Sequence, residues 1–364
     1  RCDDADLVGV RERFAEARPL RGHGGHDQGS LRHTPLVPSR AESQTMRWLE
    51  PSWRAEAEAW IRDRVEVDGA IEQPHVYPWS TVLRVPTAEG PLWFKATTPE
   101  VHGFEPRLTE ILAETCPDRV TELVEIDHGR AWMLMRDGGT RLRELEPHDP
   151  GLWEAILPRY AELQIAVTPR ADELLALGVP DMRPAGIPDA VEGLLEDDHA
   201  LMVGESEELH RDQRDELRRR LPELRALVEQ LEAFGIPATI QHDDLHDGQV
   251  FVQDGQVRIL DWGDSCISHP FHTLTVTLRA LAWRHVIEPG SAQLLRLRDA
   301  YLEPFGAPAE AADLAYRTGT LGRALAWHRY VSAATPGERD PEDAESVPYG
   351  LRLYLEAGPI GTWR

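Results

Sequence analysis

The segment from Ala238 to Gly263 constrains this 364-residue chain more than any other. Val250–Gln253 and Gln256–Leu260 are short β-forming runs on either side of Asp254-Gly255. That dipeptide accepts positive φ at both central positions and so closes a two-residue hairpin. A polar loop, 242–249, enters the hairpin and Asp261 leaves it, so its two ends must lie side by side. Asp244, Gln249 and Asp261 therefore converge on one place.

The surroundings read as two unequal parts, as a chain longer than one core usually serves would suggest. Residues 1–45 are rich in Gly, His, Pro and charge without periodicity, and read as a disordered extension or a misplaced start. His23 and His26 there read as part of a solvated tail rather than metal ligands. Residues 46–137 form a β-rich N-terminal lobe: a helix through about Val65, strands over Pro78–Pro86 and Pro91–Ala96, a helix from about Phe104 to Glu114, and strands over Val120–Ile126 and Ala131–Met135. Asp137-Gly138-Gly139 breaks the pattern. Residues 138–364 are mostly helical, with helices near 151–167, 170–177, 206–234 (interrupted at Pro222), 272–287, 291–302, 309–333 and 348–356 around the hairpin. The fold class is α+β, with a small β-rich lobe and a larger helical one.

A formal charge of −24 argues against a nucleic-acid partner, whose phosphates need a basic surface. It suits a cationic substrate, though acidity also simply keeps proteins soluble. No apolar run spans a bilayer and no secretion signal is in order, so the chain reads as cytoplasmic with no membrane partner. Three scattered cysteines suggest neither disulfides nor a metal site. Two absences are sharper. Of 39 Lys and Arg residues only Lys95 is lysine, and asparagine does not occur. Under such a compositional bias, a surviving lysine marks a position where a compact point charge is needed and a planar guanidinium does not serve.

His242, Asp244, Gln249 and the triplet Asp261-Trp262-Gly263 have the spacing of a protein-kinase-type phosphoryl-transfer site. An acceptor hydroxyl needs an anionic oxygen to orient it and take its proton, which Asp244 offers. Mg²⁺ is a hard ion, and Asp261 with the Gln249 amide supplies oxygen ligands. An acidic loop of Asp243, Asp244 and Asp247 alone would read as solvated surface; the spacing is what lifts it to a site.

The stretch resembles the aminoglycoside phosphotransferase superfamily, whose catalytic loop runs His-Gly-Asp-(Leu/Tyr)-His-x-Gly-(Asn/Gln). Its Gln form looks like the branch with maltokinases and actinobacterial glucosamine kinases. The resemblance covers about residues 60–333 and implies a bilobal protein-kinase-like fold that uses ATP and Mg²⁺. Asp243 departs from the usual Gly, and His272 from a frequent Asp, neither at the three inferred catalytic or metal positions. By the same resemblance His242 and Asp244 are catalytic, Lys95 meets the ATP phosphates, and Glu105 (or, failing it, Glu110) holds Lys95. Ser80 and Thr81 sit where kinases keep a phosphate-covering loop, although Pro78-Trp79-Ser80-Thr81 lacks its glycines. Trp132–Asp137 becomes the interlobe connector, with Met133 and Met135 beside the nucleotide. Asp264 reads as a cap, His246 as a support of the loop, Asp181 as a turn residue, and Trp327-His328-Arg329 as core packing with a surface arginine.

Only Asp264–Phe271 separates the triplet from the next helix, too little for a peptide-docking segment, so the acceptor is a small molecule. An amino sugar or an aminoglycoside fits charge and resemblance best, with a neutral sugar or an amino alcohol such as homoserine or choline still open. Two rivals remain. A metal-dependent phosphohydrolase would use His242, Asp243 and His246 as ligands. A catalytically dead nucleotide-binding protein would be expected to have lost Lys95, Asp244 or Asp261, and all three are present.

Overall fold

The computed structural model describes residues 47–146, 149–333 and 341–362, together with Arg18–Pro19. The remainder of 1–45, with His23 and His26, lies outside the described residues.

Five antiparallel strands form the N-terminal sheet: β1 (Glu72–Val76), β2 (Ser80–Val85), β3 (Leu92–Thr97), β4 (Leu123–Asp127) and β5 (Trp132–Arg136), in spatial order β1-β2-β3-β5-β4. Strand alternation sorts its faces. Phe94, Ala96, Trp132 and Leu134 pack on one side with Trp60 and Ile61 of helix α1 (Pro51–Arg62). Lys95 belongs to the opposite face, and the register sets Met133 directly beside it. Helix α2 (Glu105–Thr115) runs between β3 and β4.

Strand β1 escapes a reading of the sequence because Pro74 lies within it; as an edge strand with a bulge between Glu72 and His75, it tolerates the missing donor. The connector is also shorter than expected. Trp132–Arg136 is sheet, and only Asp137-Gly138-Gly139 crosses to the next strand, β6 (Thr140–Arg141). The Trp93 indole donates to Asp137 Oδ1 at 3.0 Å and pins the crossing. Gly139 has φ +97°, and a Cβ there would fall 2.4 Å from the Val252 carbonyl oxygen, so no other residue fits.

The remainder includes helices α3 (Trp153–Val167), α4 (Ile187–Leu194), α5 (Arg211–Glu232), α6 (Thr273–His285), α7 (Ala292–Leu302), α8 (Ala309–Ala333) and α9 (Pro341–Glu356), with a short helix at Ala171–Ala176. Strands β7 (Thr239–Gln241), β8 (Val250–Gln253), β9 (Gln256–Ile259) and β10 (Cys266–Ser268) lie among them. β8 pairs with β9 around the Asp254-Gly255 turn, both turn residues having positive φ, and β6 extends that hairpin to three strands. β10 pairs with β7 and fixes where the loop after β7 begins.

Helix α8 serves two cores. Its early residues Ala311, Ala312 and Ala315 join α3, α6 and α7 in one cluster. Leu321 and Leu325 join α4, α5 and α9 in another. Three helical expectations are revised. α4 has Pro188 in its first turn, where a missing N–H costs nothing, so a segment that reads as loop is helix. α5 continues through Pro222, with Leu217, Leu224, Val228 and Leu231 buried along one stripe. α9 begins at Pro341 and contains Pro348 rather than starting there.

Candidate active site

The loop between β7 and β8 is built on a buried histidine. His242 has both ring nitrogens engaged: Nε2 donates to the Leu260 carbonyl at 2.9 Å, and Nδ1 accepts the Asp244 N–H at 3.4 Å. Its backbone N–H donates to the Tyr160 hydroxyl at 2.9 Å, and its ring packs on Trp262, with centroids 4.8 Å apart. Burial depresses its basicity and keeps it neutral. His242 therefore holds the loop from beneath and does not face the cleft. The same bonds exclude it as a metal ligand and remove the basis of the hydrolase reading.

Asp244 meets His246 Nε2 and Gln249 Nε2 through Oδ2, each at 3.3 Å, and Arg323 Nη2 through Oδ1 at 3.4 Å. Burial would lift its carboxyl, but His246 and Arg323 outweigh burial and hold it well below the usual carboxylate range. It is an anion at any working pH. His246 supports the loop further by accepting the Gly248 N–H at 2.9 Å, and Asp247 is held by Arg143 at 3.1 Å and Arg284 at 2.6 Å.

The Leu260 N–H donates to the Gln249 carbonyl at 2.9 Å, which extends the β8–β9 ladder and sets Gln249 beside the start of the triplet. Asp261 follows with φ +68°, a left-handed turn that lifts its side chain, 52 % exposed, into the cleft. There Lys95 Nζ reaches Asp261 Oδ1 at 2.5 Å and Glu105 Oε1 at 2.6 Å. Burial works against the ammonium, yet the two carboxylates keep it charged and above the usual lysine value. Burial raises Glu105 to about 7 against the pull of Lys95; at Asp261 the partial desolvation of a half-exposed side chain is outweighed by Lys95, which draws it below the ordinary range. Gly263 leaves room for this cluster: a Cβ would come within 3.2 Å of Glu105 Oε2.

Lys95, Glu105, Asp261, Gln249 and Asp244 are thus brought together. Glu110 is elsewhere, paired with Arg107. Met133 and Met135 lie buried on the Lys95 side of the sheet. Ser80 is buried at the start of β2. Thr81 is a correction: its hydroxyl donates to the His75 carbonyl at 2.8 Å and accepts from Gln73 at 3.0 Å, so the bulged edge strand consumes it and leaves nothing for a phosphate.

Asp264 is not a cap. Its Oδ1 accepts from the Tyr330 hydroxyl at 2.6 Å, and that oxygen lies 2.6 Å from His102 Nε2, so α8 is tied to the segment after β3. Asp181 does hold a turn, bonding the Arg183 N–H at 3.1 Å. Trp327 packs on the second core and His328 bonds Asp197 at 3.0 Å. Arg329 is half-buried rather than at the surface, with Nη1 enclosed and unpartnered. Arg323, Tyr330 and His102 carry no sequence motif. One signal points to Arg323: two adjacent carboxylates, Asp243 buried and Asp244 half-buried, require a cation from somewhere.

The Asp261 carboxylate and the Gln249 amide, in segments joined by the Leu260–Gln249 backbone bond, each offer hard oxygen donors. That small set fits an ion held otherwise by phosphates and water, as Mg²⁺ is in nucleotide sites.

A family model described as the phosphotransferase enzyme family matches residues 75–314. No curated protein matches the sequence. Among solved structures, a choline kinase from Cryptosporidium parvum is 10% identical, with a TM-score of 0.57 over 84% of this chain and 95% of that one. An ethanolamine kinase of Plasmodium vivax is 13% identical, with a TM-score of 0.55 over 89% and 95%. An amicoumacin kinase solved with AMP-PNP and Ca²⁺ is 12% identical, with a TM-score of 0.55 over 88% and 98%. At such identities the likeness is one of fold, and that fold is protein-kinase-like.

Proposed function

This chain belongs to the phosphotransferase enzyme family, and on that premise we propose that it moves the γ-phosphoryl group of ATP to a hydroxyl of a small cationic acceptor, best an amino sugar of glucosamine type or an aminoglycoside. The observation that carries the reading is the meeting of the single lysine with Asp261, 2.5 Å apart, beside Asp244 and Gln249. A lysine that survives a bias against lysine and then stands at a converging set of carboxylates supports phosphate binding rather than surface charge.

In this reading Lys95, steadied by Glu105, holds the α- and β-phosphates. Asp244 accepts a hydrogen bond from the acceptor hydroxyl and takes its proton as the oxygen bonds to the γ-phosphorus. The bond from that phosphorus to the β-bridging oxygen breaks, and ADP leaves. Because Asp244 is anionic and only weakly basic, its main service is orientation, with proton transfer late. Mg²⁺, when bound with ATP by Asp261 and Gln249, neutralises charge on the phosphates. Met133 and Met135 line the nucleotide side of the sheet. The division at 137–139 separates the nucleotide-binding lobe from the one that carries the acceptor.

The net charge of −24 supports a cation but does not separate amino sugars from amino alcohols. The glucosamine-kinase and maltokinase branch stays a proposal resting on Gln249. The test is ATP consumption with Mg²⁺ against glucosamine, several aminoglycosides, maltose, homoserine and choline, with Asp244→Ala as control. Turnover confined to amino sugars or aminoglycosides and lost in the variant supports the proposal; turnover with maltose alone removes the cationic acceptor.

A further inference from the structure

The catalytic loop carries a residue that strains its backbone in order to meet a half-buried arginine. Asp243 has φ +62°, a left-handed conformation that is less favourable for a residue with a Cβ than for glycine. Asp243 is only 6 % exposed, and both its oxygens are taken: Oδ1 by Gln241 Nε2 at 3.0 Å, Oδ2 by Arg323 Nη1 at 3.1 Å. The other arm of the same guanidinium, Nη2, lies 3.4 Å from Asp244 Oδ1. Arg323 comes from α8 and is braced from behind by Trp327, whose ring centroid is 5.3 Å from the guanidinium carbon. The remaining contacts of Asp244, Gln249 and His246, belong to the loop itself.

A guanidinium is a planar fork with fixed N–H directions. Held at one arm by Asp243 and stacked on Trp327, it has little freedom left, so its second arm sets where the Asp244 carboxylate can sit. A lysine at 323 would carry the charge without the fork. Buried ion pairs add little net stability, so stability alone does not account for a strained aspartate at 243.

We propose that Asp243 and Arg323 act as one positioning unit for Asp244: Asp243 anchors the guanidinium, and the guanidinium fixes the orientation of the carboxylate toward the acceptor hydroxyl. The inference rests on Asp244 being the residue that receives the acceptor proton. It reaches two residues that the spacing of the loop motif does not assign.

The test measures kcat, the acceptor KM and the Mg²⁺–ATP Kd for wild type, D243G, R323M, R323K and the D243G/R323M pair, each at a temperature where it is folded. D243G relieves the backbone as it removes the anchor, so it stays folded even if R323M does not. The expected result is a roughly tenfold fall in kcat for D243G and for R323M, as small misplacements of reacting groups produce. ATP Kd stays within twofold, R323K recovers part of kcat, and the double variant is no worse than R323M. Folded D243G with kcat within twofold of wild type overturns the proposal, as do losses that multiply in the double variant. If wild type turns over no acceptor yet binds ATP, the acceptor assignment fails on its own. Slow ATP hydrolysis then reads the same unit through the orienting of water: a fall in D243G and R323M upholds it, and no change overturns it.

Discussion

Lys95 Nζ lies 2.5 Å from Asp261 Oδ1, so a residue in the third strand of the N-terminal sheet is bonded directly to one 166 positions later in the chain. Glu105 closes the group at 2.6 Å from the same nitrogen. Three charges, two of them buried, are held together by mutual attraction in the cleft.

Replacing Lys95 by arginine keeps the charge and loses the shape. Lys95→Arg is expected to fold normally and to lose on the order of 10²-fold in kcat/KM for ATP, because the guanidinium fork does not fit between Glu105 and Asp261. Kinetics at saturating acceptor check this; near-wild-type efficiency would mean that charge alone suffices.

Asp244 and Asp261 are expected to fail differently. Asp244→Ala should retain Mg²⁺–ATP binding and lose at least about 10²-fold in turnover. Asp261→Ala should also weaken Mg²⁺–ATP binding, and chelation of the metal should stop wild-type turnover. Calorimetric titration of ATP with and without Mg²⁺ separates the two, and equal ATP affinity in wild type and Asp261→Ala would remove Asp261 from the metal.

Stability should fall as pH drops below about 6.5, the ordinary histidine value. Burial holds His102 down to about 4 and His272 down to about 3. The unfolded chain therefore binds protons that the folded chain refuses, and the contribution is fully present above 6.5 and lost progressively below it. His272 bonds Ser268 at 2.8 Å and Thr318 at 2.9 Å without carrying charge. His272→Gln should reduce the slope of unfolding free energy between pH 6 and 4 by up to roughly 1.4 kcal/mol per pH unit. Denaturant melts across that range would show it.

Gly139→Ala is expected to destabilise the fold by roughly 1–3 kcal/mol, through positive φ and the collision with the Val252 carbonyl together. Thermal melting measures it. Gly204, with φ +88° but open space around its missing Cβ, is the control and should cost less.

How much of this is legible before the structure depends on the range of each interaction. The hairpin is written locally, in Asp254-Gly255 and the runs beside it, so the approach of Gln249 to Asp261 follows from a few residues. Lys95 is conspicuous for a compositional reason. Thr81 looks available in the sequence because nothing there reveals that the bulged edge strand brings His75 and Gln73 onto its hydroxyl. Arg323 is illegible for the opposite reason: one arginine among many on a long helix, it gains its place only when α8 is laid against the loop. Pro74, Pro188 and Pro222 mislead in the same way. The local rule against proline is overridden by an edge position, a first turn and a packed stripe.

Helix α8 carries Arg323 on the Asp244 side and Tyr330 against Asp264 and His102. These positions are about two turns, or roughly 10 Å, apart on one rod. A stiff rod does not move at one end alone. In the function proposed above, an acceptor that shifted α8 at Arg323 would, through Tyr330, also shift the segment that follows the Lys95 strand. By thermodynamic reciprocity, ATP and acceptor then change each other's affinity by the same factor, with one helix as the medium of exchange.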